Sequence, residues 1–242
     1  MAEEVPVAFS YDGVTHAVLM ATPDDLEDFA LGFTYTEGII VTPAEITELA
    51  VVSVADGIVL QMRLGGDRSD AFAARRRRFV GPAGCGMCGL ESLAEANRGI
   101  PMASHGLQVS RQEIEEAVAA LPASQPLNMQ TRAVHAAAFW QPDHSLVLRE
   151  DVGRHNALDK LAGALLGTGR SAADGVIVLS SRISIELVQK ASMMGASIIV
   201  GVSAPTALAV RTAEMAGLTL VGIARGDGFE VFTYPERITR YR

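Results

Sequence analysis

The stretch VIVLSSRISIELVQKASMMGASIIVGVSAPTALAVRTAEMAGLTLVGI, residues 176–223, decides the fold. Three short apolar runs, Val176 to Leu179, Ile198 to Val202 and Leu218 to Ile223, alternate with two stretches of helical spacing, Ser184 to Met194 and Pro205 to Ala216. Short apolar runs bounded by turn residues read as buried strands, and two successive strand–helix–strand crossovers join parallel neighbours. The expected architecture is α/β: a layered, mixed sheet with helices on its faces. In such an open sheet a ligand crevice forms beyond the carboxyl ends of the strands. Here those ends are Ser180 with Ser181, and Ser203.

Upstream, Ala133 to Trp140 and Ser145 to Leu148 read as a hairpin around Gln141 to His144, followed by a helix from about Val152 with Leu158, Leu161 and Leu165 on one face. Ser110 and Glu113 form a capping box ahead of Ile114, Ala117, Val118 and Leu121, with a stop at Pro122. Nearer the start, Thr22 reads as an N-cap with Pro23 at the first helical position, and the helix should end near Gly38. Strands around Val51 to Val54 and Ile58 to Leu64 precede a Gly, Asp and Arg-rich segment that runs into the cysteines. The change in rhythm places a smaller N-terminal α+β domain at 1–109 and a larger α/β domain at 110–242.

The chain has 242 residues, 49% of them apolar and 20% charged, proportions that exclude a disordered or collagen-like chain. Two cysteines are too few for a disulfide scaffold. A net charge of -8 opposes non-specific binding to nucleic acid or anionic lipid, while leaving room for a local basic patch. The basic side chains are arginines except for Lys160 and Lys190. No run approaches the roughly 20 apolar residues of a membrane span, and the opening MAEEVPVAFSYDG lacks a signal-peptide apolar region. A cytoplasmic protein is expected.

The sharpest chemical feature is Gly84-Cys85-Gly86-Met87-Cys88-Gly89, after four arginines at 75–78 and before a plausible helix from Leu90 to Asn97. Positive charge and a helix start both favour the nucleophilic thiolate, and flanking glycines leave the sulfurs accessible. Sulfur-transfer or redox chemistry on Cys85 and Cys88 competes with two inert thiols at a turn. Zinc would need two further ligands from His16, His105, His135, His144 and His155, which form no close pair, so no metal site is expected. A zinc deaminase would place His-x-Glu ahead of Pro-Cys-x-x-Cys, whereas here His135 is followed by Ala136 and Ala137, the order is reversed, and Pro82 stands three residues before Cys85. A thioredoxin-like dithiol shares the Cys-x-x-Cys spacing but not the preceding apolar strand.

Two further clusters stand out. Arg149 to Asn156 places Asp151 and His155 at a helix start, where they would orient groups or exchange protons, or simply cap the helix. In Ile223-Ala224-Arg225-Gly226-Asp227-Gly228, backbone N–H groups and Arg225 suit a phosphate, and Asp227 suits a donor on guanine or ribose. A Gly-Asp-Gly turn also forms without any ligand. Ser203-Ala204-Pro205-Thr206 reads as a second phosphate cradle or as plain helix capping.

Together these stretches resemble the FdhD family of formate dehydrogenase accessory sulfur carriers. The resemblance rests on TPDDLEDFALGFTYTEGII (22–40), GCGMCGLESL (84–93), REDVGRHNALDKLAG (149–163), SSRISIELVQKA (180–191), VSAPTALAV (202–210) and LVGIARGDGFEVFTYPERI (220–238), in the family's order. It implies a carrier-type sulfurtransferase that takes persulfide sulfur from a cysteine desulfurase and passes it to the molybdenum or tungsten bis-guanine dinucleotide cofactor for formate dehydrogenase. Cys85 matches the persulfide-bearing cysteine and Cys88 its companion, while Ile223 to Gly228 match the cofactor-binding stretch. A cytidine-deaminase-like C-terminal domain without zinc, and a homodimer, are also implied. One departure is visible. Where the family usually reads Thr-Gly-Gly, this chain has Thr131-Arg132-Ala133, which questions the local backbone and adds a charge. A cofactor-binding chaperone without thiol chemistry and a dithiol oxidoreductase are the rival classes.

Overall fold

In the computed structural model the described residues are 1–78, 100–103, 106–226 and 228–239, with 73–78 described by backbone alone. Two strands, β1 (Val5–Tyr11) and β2 (Val14–Ala21), open the chain as a hairpin. Asp12 and Gly13 both have positive φ, 50° and 80°. A two-residue turn of that type matches the twist of paired strands. Helix α1 (Leu26–Thr36), β3 (Ile46–Val54), β4 (Gly57–Leu64) and α2 (Gly66–Arg78) follow. The first four strands form one sheet in the order β2-β1-β4-β3. Phe9 of β1 meets Phe29 edge-on at 4.9 Å and Phe33 at 4.1 Å, so one face of α1 is glued to this sheet.

The rest comprises β5 (Val109–Ser110), α3 (Arg111–Ala123), α4 (Pro126–Thr131), β6 (His135–Trp140), β7 (Leu146–Asp151), α5 (Arg154–Thr168), β8 (Val176–Leu179), α6 (Ile185–Met193), β9 (Ile198–Gly201), α7 (Ala207–Met215), β10 (Thr219–Arg225), β11 (Gly228–Val231) and β12 (Ile238–Thr239). A six-stranded sheet has the order β11-β10-β9-β8-β6-β7. Strands β8, β9 and β10 are parallel; β6, β7 and β11 join antiparallel. This is the mixed sheet expected from the alternation in residues 176–223. Alternate residues of each strand point to opposite faces. Ile177, Leu179, Ile199 and Leu220 share a buried cluster with α5, α6 and α7, whereas Val176, Val178, Ile198 and Val200 share one with Ile114, Ala117 and Leu121 of α3.

The two sheets are joined through helices. Gly32 of α1 and Gly163 of α5 let the two backbones touch, because a Cβ on either would fall inside a backbone atom of the other helix. Buried polar groups fix this contact. Lys160 Nζ lies 2.7 Å from Asp151 Oδ2 and donates to the Thr22 carbonyl at 2.8 Å, both side chains being fully buried. Lys190 Nζ reaches both oxygens of Asp159, Thr36 Oγ1 and Glu37 Oε1 at 2.9–3.1 Å. Burial opposes the Lys190 charge, but Asp159 and Glu37 outweigh it and raise its pKa. Both lysines of the chain are thus structural ties between segments far apart in sequence.

Several local expectations need correction. Thr22 is not the cap of α1: its N–H donates to Asp151 and its hydroxyl accepts from Val152 N, and the helix begins three residues later after Asp25. Helix α3 does start with the Ser110–Glu113 capping box, but Pro122 sits inside its last turn rather than ending it. The segment after β4 is helical as α2. Helix α5 starts at Arg154, because Glu150 and Asp151 belong to β7 and are buried. Among the described residues, no helix is long and apolar enough to cross a membrane.

Candidate functional site

Beyond the carboxyl ends of β8, β9 and β10 lies a cleft of about 730 Å³, within the range of small-molecule sites. Ser180, Val202 and the Ala224-Arg225-Gly226 segment form one wall. Leu121, Pro122, Gln125, Met129, Arg132 and His135 contribute to the other. The crevice expected at the strand ends is therefore present, and residues 224–226 of the singled-out C-terminal stretch line it.

The geometry of β10 at the cleft is strained. Gly222 pairs with Glu230 and Arg225 with Gly228, so Ile223 and Ala224 face Phe229 alone and form a bulge. Ile223 has φ 55°, an outlying conformation for a β-branched residue. Its N–H donates to Ser203 O at 3.2 Å, which ties the bulge to the loop after β9. Bulges re-aim side chains beside functional sites, and positive φ at such a residue costs on the order of 1–3 kcal/mol. Arg225 donates from Nε to Val202 O at 3.3 Å and remains exposed.

The opposite wall holds a second strained residue. Arg132 caps the carboxyl end of α4 in the left-handed region, φ 53° and ψ 26°, with its N–H on Asn128 O at 2.8 Å. The conformation questioned at this position is thus adopted by the arginine itself, at a cost of roughly 1–2 kcal/mol. Gln125, 4% exposed, donates from Nε2 to Leu121 O, and its Oε1 has no partner among the described residues. No carboxylate occurs among the described lining residues. Two guanidiniums and an apolar wall make the cleft suited to a ligand with an anionic group and a flat apolar ring.

His135 is close enough to His155 to influence its charge, and His155 sits in a polar cluster. His155 Nε2 is 3.3 Å from Ser184 Oγ and 3.9 Å from Glu186 Oε2. Burial, then the nearby Arg154, push its pKa down to about 4, against the pull of Glu186. His135 is lowered by burial and by Arg154 as well. His155 is therefore neutral at pH 7. Asp151, proposed beside it as a proton-exchanging group, is committed elsewhere: besides Lys160 it accepts from Thr22 N, Gly153 N and Asn156 Nδ2. Glu150 accepts from Leu127 N and Asn128 N, holding the start of α4. Both acids are thus held in structural hydrogen bonds, and neither lines the cleft.

Thr206 Oγ1 accepts from Ala209 N at 3.2 Å as the cap of α7, so the hydroxyl singled out as a phosphate cradle is engaged in capping. Ser181 is buried and donates to Arg182 O. Cys85, Cys88, Asp227, His105 and the segment expected as a helix from Leu90 lie outside the described residues. No cluster of three His, Cys, Asp or Glu suited to a metal ion occurs among the described residues. Sequence reasoning missed Gln125, Met129 and the α3–α4 wall, which reach the strand ends only through the fold. A smaller cavity of about 240 Å³ carries Asp24, Asp25 and Glu150, and this lining repels anions.

Comparison with known proteins agrees with this arrangement. Residues 2–239 match the FdhD/NarQ family. The sulfur carrier protein FdhD of Agrobacterium fabrum is 52% identical over 238 residues, covering 98% of this chain and 88% of that protein. The protein of the same name from Cupriavidus necator is 43% identical over 239 residues, covering 98% and 83%. A solved structure from Desulfotalea psychrophila, described as a formate dehydrogenase accessory protein, matches with a TM-score of 0.74 and 28% identity over 99% of this chain and 90% of that one. Matched over almost its whole length and 52% identical to one such relative, this chain belongs to the FdhD/NarQ family.

Proposed function

We propose that the chain is a sulfur carrier that acts in the maturation of formate dehydrogenase. The Cys85 thiolate attacks the outer sulfur of a persulfide on a cysteine desulfurase. The donor's S–S bond breaks, the donor leaves as thiolate, and Cys85 holds the persulfide. The acceptor is the molybdenum or tungsten bis-guanine dinucleotide cofactor, whose nucleotide end sits in the cleft between β10 and α3–α4. Cys88 either helps to accept the sulfur or resolves it: its attack on Cys85 Sγ forms a disulfide and releases the outer sulfur as sulfide, and a thiol reductant then reopens the disulfide for the next round. A homodimer in the cytoplasm completes the reading.

The observation that carries it is the cleft itself, bounded by Ala224, Arg225 and Gly226 beside the strained Ile223, in a chain of a family whose relatives bear the name sulfur carrier protein. Apolar lining and the exposed guanidiniums of Arg132 and Arg225 suit a nucleotide.

The test is complementation. In cells lacking their own carrier, the chain should restore formate dehydrogenase activity, and Cys85→Ser should not. Activity restored equally by Cys85→Ser would turn the reading to a cofactor-binding chaperone. Full activity of Cys88→Ser would remove the disulfide step while leaving the carrier role. Turnover with thioredoxin, together with no nucleotide binding, would turn it to a dithiol oxidoreductase.

A further inference from the structure

We propose that Arg132 is a second cationic contact of the cleft, binding with Arg225 the diphosphate of the nucleotide-bearing ligand. This rests on the cleft being the nucleotide site. Four observations converge on Arg132. It holds a left-handed backbone that Gly or Asn would take more cheaply. It lines the cleft. It is exposed, and no carboxylate lies within ion-pair distance of it among the described residues. The other charged lining residue is again an arginine, in a chain of net charge -8.

The bland account is a solvated arginine placed at the carboxyl end of α4 by the helix dipole. That role explains a positive charge but not the choice of a strained residue, since the next position, the exposed Ala133, offers the same dipole without the backbone cost. Strain retained at the rim of a ligand cleft is the pattern of a residue kept for what its side chain contacts. A guanidinium forks onto two oxygens of a phosphate, and two guanidiniums in one cleft suit a diphosphate better than a monophosphate. The Arg132 N–H, donated to the Asn128 carbonyl four residues back, gives the side chain a fixed base.

The experiment is calorimetric titration of the full chain with GDP, GMP and guanosine, for the native chain, Arg132→Gln, Arg132→Gly and Arg225→Gln. Both Arg132 variants should weaken GDP by roughly three- to tenfold, the range of a partly solvated charge pair. Guanosine affinity should stay unchanged. The native preference for GDP over GMP should shrink. Arg132→Gly should melt at the same or a higher temperature than the native chain, so that its lost affinity is not lost folding. Native affinity for GDP in both Arg132 variants, with Arg225→Gln still weakened, would overturn the role of Arg132 and leave the cleft reading standing. No GDP binding by the native chain would overturn the cleft reading and this inference with it.

Discussion

Gly32 and Gly163 face one another across the α1–α5 contact so closely that a Cβ on Gly32 would lie 1.7 Å from the Asp159 carbonyl oxygen, and one on Gly163 would lie 1.9 Å from that of Asp28. The four-stranded sheet is thereby held to the helices of the six-stranded one by backbone contact. In an exposed helix, replacing Gly with Ala gains about 1 kcal/mol. Here Gly32→Ala or Gly163→Ala should instead cost about 2 kcal/mol or more, since the backbones must separate. Chemical denaturation of each variant measures this, and a neutral or stabilising result would contradict the close contact.

Lys160 and Asp151 are both wholly buried and paired at 2.7 Å. Lys160→Met would leave the Asp151 carboxylate without its cation, and breaking one side of a buried pair costs roughly 3–5 kcal/mol. The same denaturation measurement should show a midpoint shift of that size. A loss below about 1 kcal/mol would mean that Asp151 is compensated by Thr22, Gly153 and Asn156 alone.

His155 gives the fold a pH dependence with a definite sign. Its folded pKa is about 4, mainly through burial and then through Arg154, below the 6.5 of an unperturbed histidine. Between these values the unfolded chain binds the extra proton, so its contribution to stability is present above pH 6.5 and is lost as pH falls towards 4. His135, shifted in the same direction, adds to the slope. Melting temperatures across this window should fall less steeply for His155→Asn than for the native chain. Identical slopes would show that His155 protonates freely in the folded state.

Thr206→Ala separates a helix cap from a phosphate cradle. Loss of the hydroxyl that accepts from Ala209 N should cost about 1 kcal/mol of stability and leave GDP affinity as it was. A tenfold loss of GDP affinity would restore the cradle reading.

Much of the six-stranded sheet was legible because residues 176–223 repeat a local rhythm that only parallel strands satisfy, and because the crevice follows from strand ends. The capping box at Ser110 and Glu113 was legible for the same local reason. The opening hairpin carried a readable signal in Asp12-Gly13 between alternating apolar residues, overlooked beside the acidic start of the chain. Thr22 misled because an N-cap residue and a tertiary hydrogen-bond partner look alike in sequence. Its true partners, Asp151 and Val152, lie about 130 positions away. For the same reason the α3–α4 wall of the cleft, and the reciprocal fit of Gly32 with Gly163, could not be read locally.

The central claim is that Cys85 carries transferable sulfur, and intact-protein mass spectrometry after incubation with a cysteine desulfurase and cysteine tests it most directly. The native chain should gain the mass of one sulfur, lose it on reduction, and gain none as Cys85→Ser. An active desulfurase that leaves the native mass unchanged, or that loads Cys85→Ser equally well, would contradict the account.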